Sequence, residues 1–236
     1  TSADDGAETL AWLEESCGLD RAGGTLLASY VAAGKAALGA IPSQVQVVAE
    51  RFFDDSGGTQ LVIHAPFGGR INRAWGMALR KRFCRTFDFE LQAAATDEGV
   101  LLSLGPQHSF PLEMILEMVR PEHVDEALTQ AALQAPMFET RWRWNAMRSL
   151  ALRRTMNGKK VPPNLQRMRA QDLLAACFPQ QVGCQDNHGG GPIEVPDHPL
   201  VKETVSDCLC EAMDAEGLKR VLGELVDGRI ARTVRE

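Results

Sequence analysis

The sequence predicts an α+β fold that is mostly helical, with a small antiparallel sheet of two hairpins, about four strands, covered by helices. Three observations predict it. Two pairs of runs rich in β-branched and aromatic residues, 45–53 with 59–65 and 89–96 with 100–104, are each joined by a short turn sequence. A single amphipathic helix, 70–87, stands between the two pairs. Nearly everything after residue 110 is apolar at helical period.

Taken in order, 7–17 and 20–38 read as two helices, with Leu10, Leu13 and Cys17 in one apolar row and Asp20 as the cap of the second. Gly39 and Pro42 end this pair, which makes 1–42 a helical lead-in or the tail of a preceding domain, and 43–236 a second unit. VQVVAERFF and TQLVIHA flank the five-residue turn DDSGG, a hairpin signal. After the basic helix, FELQAAAT and VLLSL flank the turn Asp97-Glu98-Gly99. Helices then follow at 111–119, 122–134, 136–156 (opening at Pro136), 163–177, 198–213 and 215–226, before a basic tail, RIARTVR. Pro162 and Pro163 suit the first turn of the helix at 163–177. Gln185–Gly191, QDNHGGG, is the least ordered-looking stretch.

With 236 residues, 44% hydrophobic and 24% charged, the chain can bury a substantial core. No run of 18 apolar residues exists, which excludes a membrane-spanning helix, and the acidic start TSADDGAE lacks the features of a signal peptide. A start inside polar sequence without Met suggests a piece of a longer chain. Six scattered cysteines suit a reduced, cytoplasmic protein better than a disulfide framework.

Charge is segregated. Arg70, Arg73, Arg80, Lys81, Arg82 and Arg85 fall in 68–87 with no acid among them. Nine more basic residues occupy 141–169, again without an acid. The ten that remain face all 31 acids, so the rest of the chain carries a formal charge of −21 beneath a total of −6. Such segregation suggests a polyanion-facing surface on an acidic body.

On a helical wheel Ile71, Trp75, Leu79 and Phe83 share one arc, and Arg70, Arg73, Arg80 and Lys81 another. Periodicity alone makes Trp75 a core residue packed on the sheet. Its place one turn after Gly68 and Gly69 gives a second reading, in which the helix start holds a phosphate and the indole stacks a base. In RWRWNAMRSLALRR, Trp142 falls with Phe138, Ala146 and Leu150 on a core face, while Arg141, Trp144 and Arg148 share the opposite face. Trp144 is either a surface ring covered by arginine stems or part of a single-strand groove, and both readings stand.

Other chemistry is weakly signalled. Cys177, Cys184 and His188 with Cys208 or Cys210 fit no common zinc spacing, so no metal site is expected, and no histidine has the neighbours of a catalytic triad. GxxxxGK[ST] is absent; Gly34-Lys35 and Gly158-Lys159 lack both the first glycine and the following hydroxyl. No catalytic residue is assigned.

The runs ERFFDDSGGTQLVIHAPFGGRINRAWGMALRKRF, FELQAAATDEGVLLSLGPQHSFPL, APMFETRWRWNAMRSLAL, VPPNLQRMRAQDLLAACFPQQ and PIEVPDHPLVKETVSDCLCEAMD resemble, in order, the large helicase-related (Lhr) family of superfamily 2 DNA helicases. The resemblance covers residues 8 to about 226, which in that family form the accessory domain downstream of two ATPase domains and a winged-helix domain. It implies ATP-dependent 3′-to-5′ translocation on single-stranded DNA, unwinding of DNA or RNA–DNA duplexes, and a repair role for the parent protein. ATP and Mg²⁺ would belong to the upstream domains, so this fragment would have no enzymatic activity or cofactor of its own. Its expected partners are single-stranded DNA, DNA or RNA–DNA duplex, and the ATPase and winged-helix domains of the same chain. The resemblance assigns base stacking to Trp75 within RINRAWG, and phosphate or sugar contacts to Arg70, Asn72 and Arg73 by proximity. Arg80, Lys81, Arg141, Trp144 and Arg148 complete the expected strand contacts. Docking of the basic faces onto neighbouring domains without nucleic-acid contact, and an independent hydrolase at Cys184 and His188, are the competing readings.

Overall fold

The computed structural model describes residues 3–87, 91–105, 110–183 and 192–236. The chain opens with helices α1 (Ala3–Cys17) and α2 (Arg21–Leu38), which pack on one another where Gly24 lets α2 approach Leu10 and Leu13. Asp20 caps α2 as expected, accepting from the Gly23 amide at 2.7 Å. Gly39, at φ +79°, closes its C-terminus in the left-handed conformation.

The sheet follows. Strands β1 (Gln46–Phe53) and β2 (Thr59–His64) form the first expected hairpin. Helix α3 (Gly69–Phe87) crosses to β3 (Gln92–Ala95) and β4 (Gly99–Gly105), the second hairpin. Inward residues Leu61 and Ile63 alternate with half-buried neighbours along β2, as a one-sided strand requires. On that face α3 lays down Ile71, Ala74, Trp75, Ala78, Leu79 and Phe83. Gly76 lets the helix sit close: a Cβ there would lie 3.1 Å from the Val100 side chain.

The rest is helical: α4 (Val124–Leu133), α5 (Pro136–Arg148), α6 (Pro163–Cys177), α7 (Pro179–Gly183), α8 (Pro199–Asp207) and α9 (Ala215–Val226). Single 3-10 turns at Leu112–Leu116 and Pro121–His123 stand where 111–119 was expected to be helical and just ahead of α4. A π-helical turn, Cys208–Ala212, continues α8.

Two expectations are corrected within this α+β frame. The helix expected over 136–156 stops at Arg148, and residues Thr155–Met156 and Lys159–Lys160 pair as a separate two-stranded hairpin, β5 and β6. Asn157 and Gly158, both at positive φ, supply its turn and outweigh the helical pattern running into it. The sheet is also not purely antiparallel. The basic tail forms a further strand, β7 (Ala231–Arg235), parallel to β1 from Gln46↔Ala231 to Glu50↔Arg235, giving the order β3-β4-β2-β1-β7.

Candidate nucleic-acid interface

The start of α3 is built around Asn72. Its side-chain amide reaches the carbonyls of Ala65, Thr96 and Asp97 at 2.8, 2.9 and 3.1 Å, tying the β2–α3 loop to the β3–β4 turn. The same turn fills the helix N-terminus. Asp97 accepts from the Gly69 amide through its carboxylate (2.7 Å) and from the Gly68 amide through its carbonyl (3.1 Å). A Cβ at Gly69 would sit 2.8 Å from that carboxylate. The glycine pair therefore admits a protein carboxylate, which already supplies the negative charge that a helix start favours. The free anion cradle expected there is corrected, and Asn72 is a buried clamp rather than a sugar or phosphate contact.

Arg70 and Arg73 lie exposed one turn apart, but both reach inward to the end of the π turn. Arg70 donates to the carbonyls of Cys210 and Met213, and Arg73 to that of Ala212 at 2.8 Å. These carbonyls have no continuing helix to accept from, and cations complement a helix C-terminus. The two arginines border an open recess of about 420 Å³ between Phe67, Ile71, Asp97 and Asp214.

Trp75 has no exposed surface. It lies where the apolar arc put it, against the sheet, with its indole N–H finding no hydrogen-bond partner among the described residues. Placed so, the ring offers no face to a base. Arg80 is exposed further along α3, and Lys81 donates to the Gln134 side chain of the loop after α4 at 2.9 Å.

The second basic group is on α5. Trp142 is core, its N–H donating to the Ala170 carbonyl of α6 at 2.7 Å. Trp144 points the other way, 44% exposed, with the Arg141 guanidinium 5.2 Å from its ring centre. Arg148 pairs with Asp207 at 2.7 Å and also donates to the Asn145 side chain. Asn145 in turn bonds Thr204 of α8 at 3.3 Å. Beside Asp207 the Cys208 thiol is pushed up to about 12, chiefly by burial, which outweighs the opposing charge of Arg141, with the Asp207 charge a smaller contribution upward.

The nine expected strand contacts thus separate into an α3 group and an α5 group. What joins them is a feature that sequence reasoning missed. The turn Asp207–Met213 receives Arg148 at its beginning and Arg70 and Arg73 at its end. Also missed was the exposed hairpin β5–β6, signalled by Asn157-Gly158 but absorbed into the expected helix.

Among the described residues no group of three or more His, Cys, Asp or Glu could hold a metal, and no helix is long and apolar enough to cross a membrane. Cys184 and His188 lie outside the described residues. Gly34-Lys35 is inside helix α2 and Gly158-Lys159 is at the tip of a hairpin, so neither leads from a strand into a helix as a phosphate-binding loop does.

A family model described as DEAD/H associated matches residues 41–236. The chain is 26% identical over 194 residues to the Lhr helicase/probable uracil glycosylase of Mycolicibacterium smegmatis. It is 24% identical to the ATP-dependent helicase Lhr-Core of Saccharolobus solfataricus, also over 194 residues. These alignments take in 82% and 81% of this chain but only 12% and 20% of the relatives. The chain therefore spans a small part of the length of the curated relatives it matches. Among solved structures, that of Mycobacterium smegmatis helicase Lhr bound to ssDNA and AMP-PNP superposes with a TM-score of 0.69 at 25% identity, covering 86% of this chain and 24% of that one.

Proposed function

The chain belongs to the DEAD/H associated family, and from that premise we propose that it is an accessory domain of an ATP-dependent, Lhr-type 3′-to-5′ DNA helicase that grips the single strand the motor tracks along. The observation that carries this reading is the Arg141–Trp144 pair. A half-exposed indole under a guanidinium, on a stretch of 29 residues without an acid, combines stacking surface with positive charge. The likeness to an Lhr structure holding ssDNA supports it. In this reading Trp144 takes the stacking role, Arg141 and Arg148 approach phosphates beside it, and Arg70, Arg73 and Arg80 form a second approach along α3. Lys81 adds charge there. ATP and Mg²⁺ are bound by the motor domains, in a cytoplasmic protein that unwinds DNA or RNA–DNA duplexes during repair.

The test is fluorescence anisotropy of a labelled single-stranded oligonucleotide at several salt concentrations. Binding should weaken with a log–log slope of about −0.7 for each phosphate neutralised. Trp144→Ala should lower affinity by roughly five- to 150-fold, the equivalent of one stacked base. Wild-type affinity in that variant at every salt concentration would remove Trp144 from the strand path.

A second reading has a specific observation in its favour. Arg70, Arg73 and Arg148 are already engaged with protein groups, as interface arginines are. If the basic faces instead dock the ATPase and winged-helix domains, charge reversal at Arg80 and Arg141 would weaken domain association and leave strand affinity unchanged.

A further inference from the structure

We propose that the β5–β6 hairpin, with Leu150 at its root, is a separate binding site for a single-stranded nucleic acid, its cations holding phosphates and Leu150 meeting a base. The inference rests on the strand-binding reading above and places a contact where none of the nine expected residues lies.

The hairpin is an ordered element. Asn157 and Gly158, at φ 51° and 75°, form its two-residue turn, and Val161 donates to the Arg154 carbonyl at 2.9 Å to close its base. Buried Leu152 and Val161 anchor its two ends, and Arg169 of α6 reaches the Met156 sulfur at 3.9 Å. What it displays is charge. Arg153, Arg154, Lys159 and Lys160 are all exposed, and none forms an ion pair or side-chain hydrogen bond with a described residue. No Asp or Glu occurs between Glu139 and Asp172. Four cations crowded on one small hairpin repel one another and gain nothing from the fold. On a chain whose net charge is −6 they are matched to an anion supplied from outside.

Leu150 adds an independent observation. It adopts φ 62°, in the left-handed region, in the turn closed by the bond from Leu152 to the Ala146 carbonyl at 2.9 Å. Glycine is the residue that this cap position favours, because a Cβ there is strained. Yet the leucine side chain is 82% exposed, so packing among the described residues does little to offset the strain. A strained backbone that presents an apolar side chain to solvent marks a contact site. Exposed Met156 and Met168 extend the apolar surface among the cations. An acidic protein surface would be engaged by the cations alone. Charge interleaved with apolar side chains matches a strand, whose backbone is anionic and whose bases are flat and apolar.

The test uses the whole 236-residue chain and labelled oligo(dT). One variant combines Arg153→Gln, Arg154→Gln, Lys159→Gln and Lys160→Gln; another is Leu150→Gly. In the first, the salt slope should shrink by about 1.4 to 2.8, or ~0.7 for each of about two to four phosphates released, with the thermal midpoint unchanged. In the second, affinity should fall severalfold while the midpoint rises, a divergence that a merely structural leucine would not produce. If wild-type chain binds oligo(dT) and the glutamine variant keeps its affinity and slope, the hairpin is excluded while the strand-binding reading stands. If the variant loses duplex binding alone, the single-strand assignment is overturned. Absence of oligo(dT) binding by the wild-type chain at low salt overturns both readings together.

Discussion

Trp75 divides the two readings of α3 most sharply, because they predict opposite consequences for one substitution. The indole is fully buried against the sheet, and a tryptophan so placed removes about 150–250 Å² from water. At about 25 cal/mol per Å² that burial is worth roughly 4–6 kcal/mol. Trp75→Ala keeps the Cβ and leaves a cavity between α3 and β3–β4, so the expected destabilisation is about 3–5 kcal/mol. For a chain of this size that lowers the thermal midpoint by roughly 6–20 °C. Trp75→Phe refills much of the space and removes an indole N–H that finds no partner among the described residues, so it should cost only about 1–2 kcal/mol. Urea and thermal unfolding followed by circular dichroism measure both, and oligo(dT) anisotropy is then recorded at a temperature where each variant is folded. The core assignment requires a large loss of stability and, in the folded phenylalanine variant, unchanged affinity. An alanine variant within about 1 kcal/mol of wild type in stability, but weakened in strand binding by the worth of a stacked base, would refute it.

The other predictions concern the clamp and the thiols. Asn72→Ala should destabilise the chain by about 2–3 kcal/mol, because the side chain's two N–H protons serve three carbonyls that are left without that donor. Faster amide exchange in the 96–99 turn would accompany it, and a variant as stable as wild type would dismiss the clamp. Exposed Cys17 and Cys210 should be alkylated in the native protein at pH 8, whereas Cys208, its thiol raised to about 12, should react only in denaturant. The sign for stability follows: the native state keeps that proton above the ordinary value of 9.0, so its contribution is present below pH 9 and is lost as pH rises toward 12. Peptide mapping that found Cys208 labelled in native protein would contradict its burial.

The legible parts of this fold are those set by local period. Both hairpins, α3 and the apolar arc carrying Trp75 could be read because each pattern runs within one element. Asp20 and Pro163 marked helix starts for the same reason. What could not be read is who fills a site from elsewhere. Gly68-Gly69 looks like an anion site until Asp97 arrives, 28 residues on, to occupy it. The pairing of β7 with β1 joins segments 185 residues apart, and nothing in RIARTVR names its partner. The separate hairpin β5–β6 was legible in Asn157-Gly158 but lost to the apolar period running into it from α5. That competition between local signals is the kind a sequence cannot settle, since each is satisfied alone.

The arginines of the two basic helices repeat the lesson with a functional consequence. Counting charge locates the basic segments correctly but cannot say which cations the fold itself engages. Arg70 and Arg73 complete the end of the Cys208–Ala212 turn, and Arg148 neutralises Asp207 at its start. One π-helical turn therefore fixes the α3 recess relative to the Arg141–Trp144 pair. π turns are inserted where an element must be re-aimed, frequently at functional sites. The bond from Met213 back to the Cys208 carbonyl (3.1 Å) closes this one against the buried core residues Cys208 and Met213. A displacement of α8 would move both basic groups together, since Arg148 and Asn145 tie α5 to Asp207 and Thr204. The cations that the fold engages set geometry, and those it leaves on the hairpin remain available for a strand.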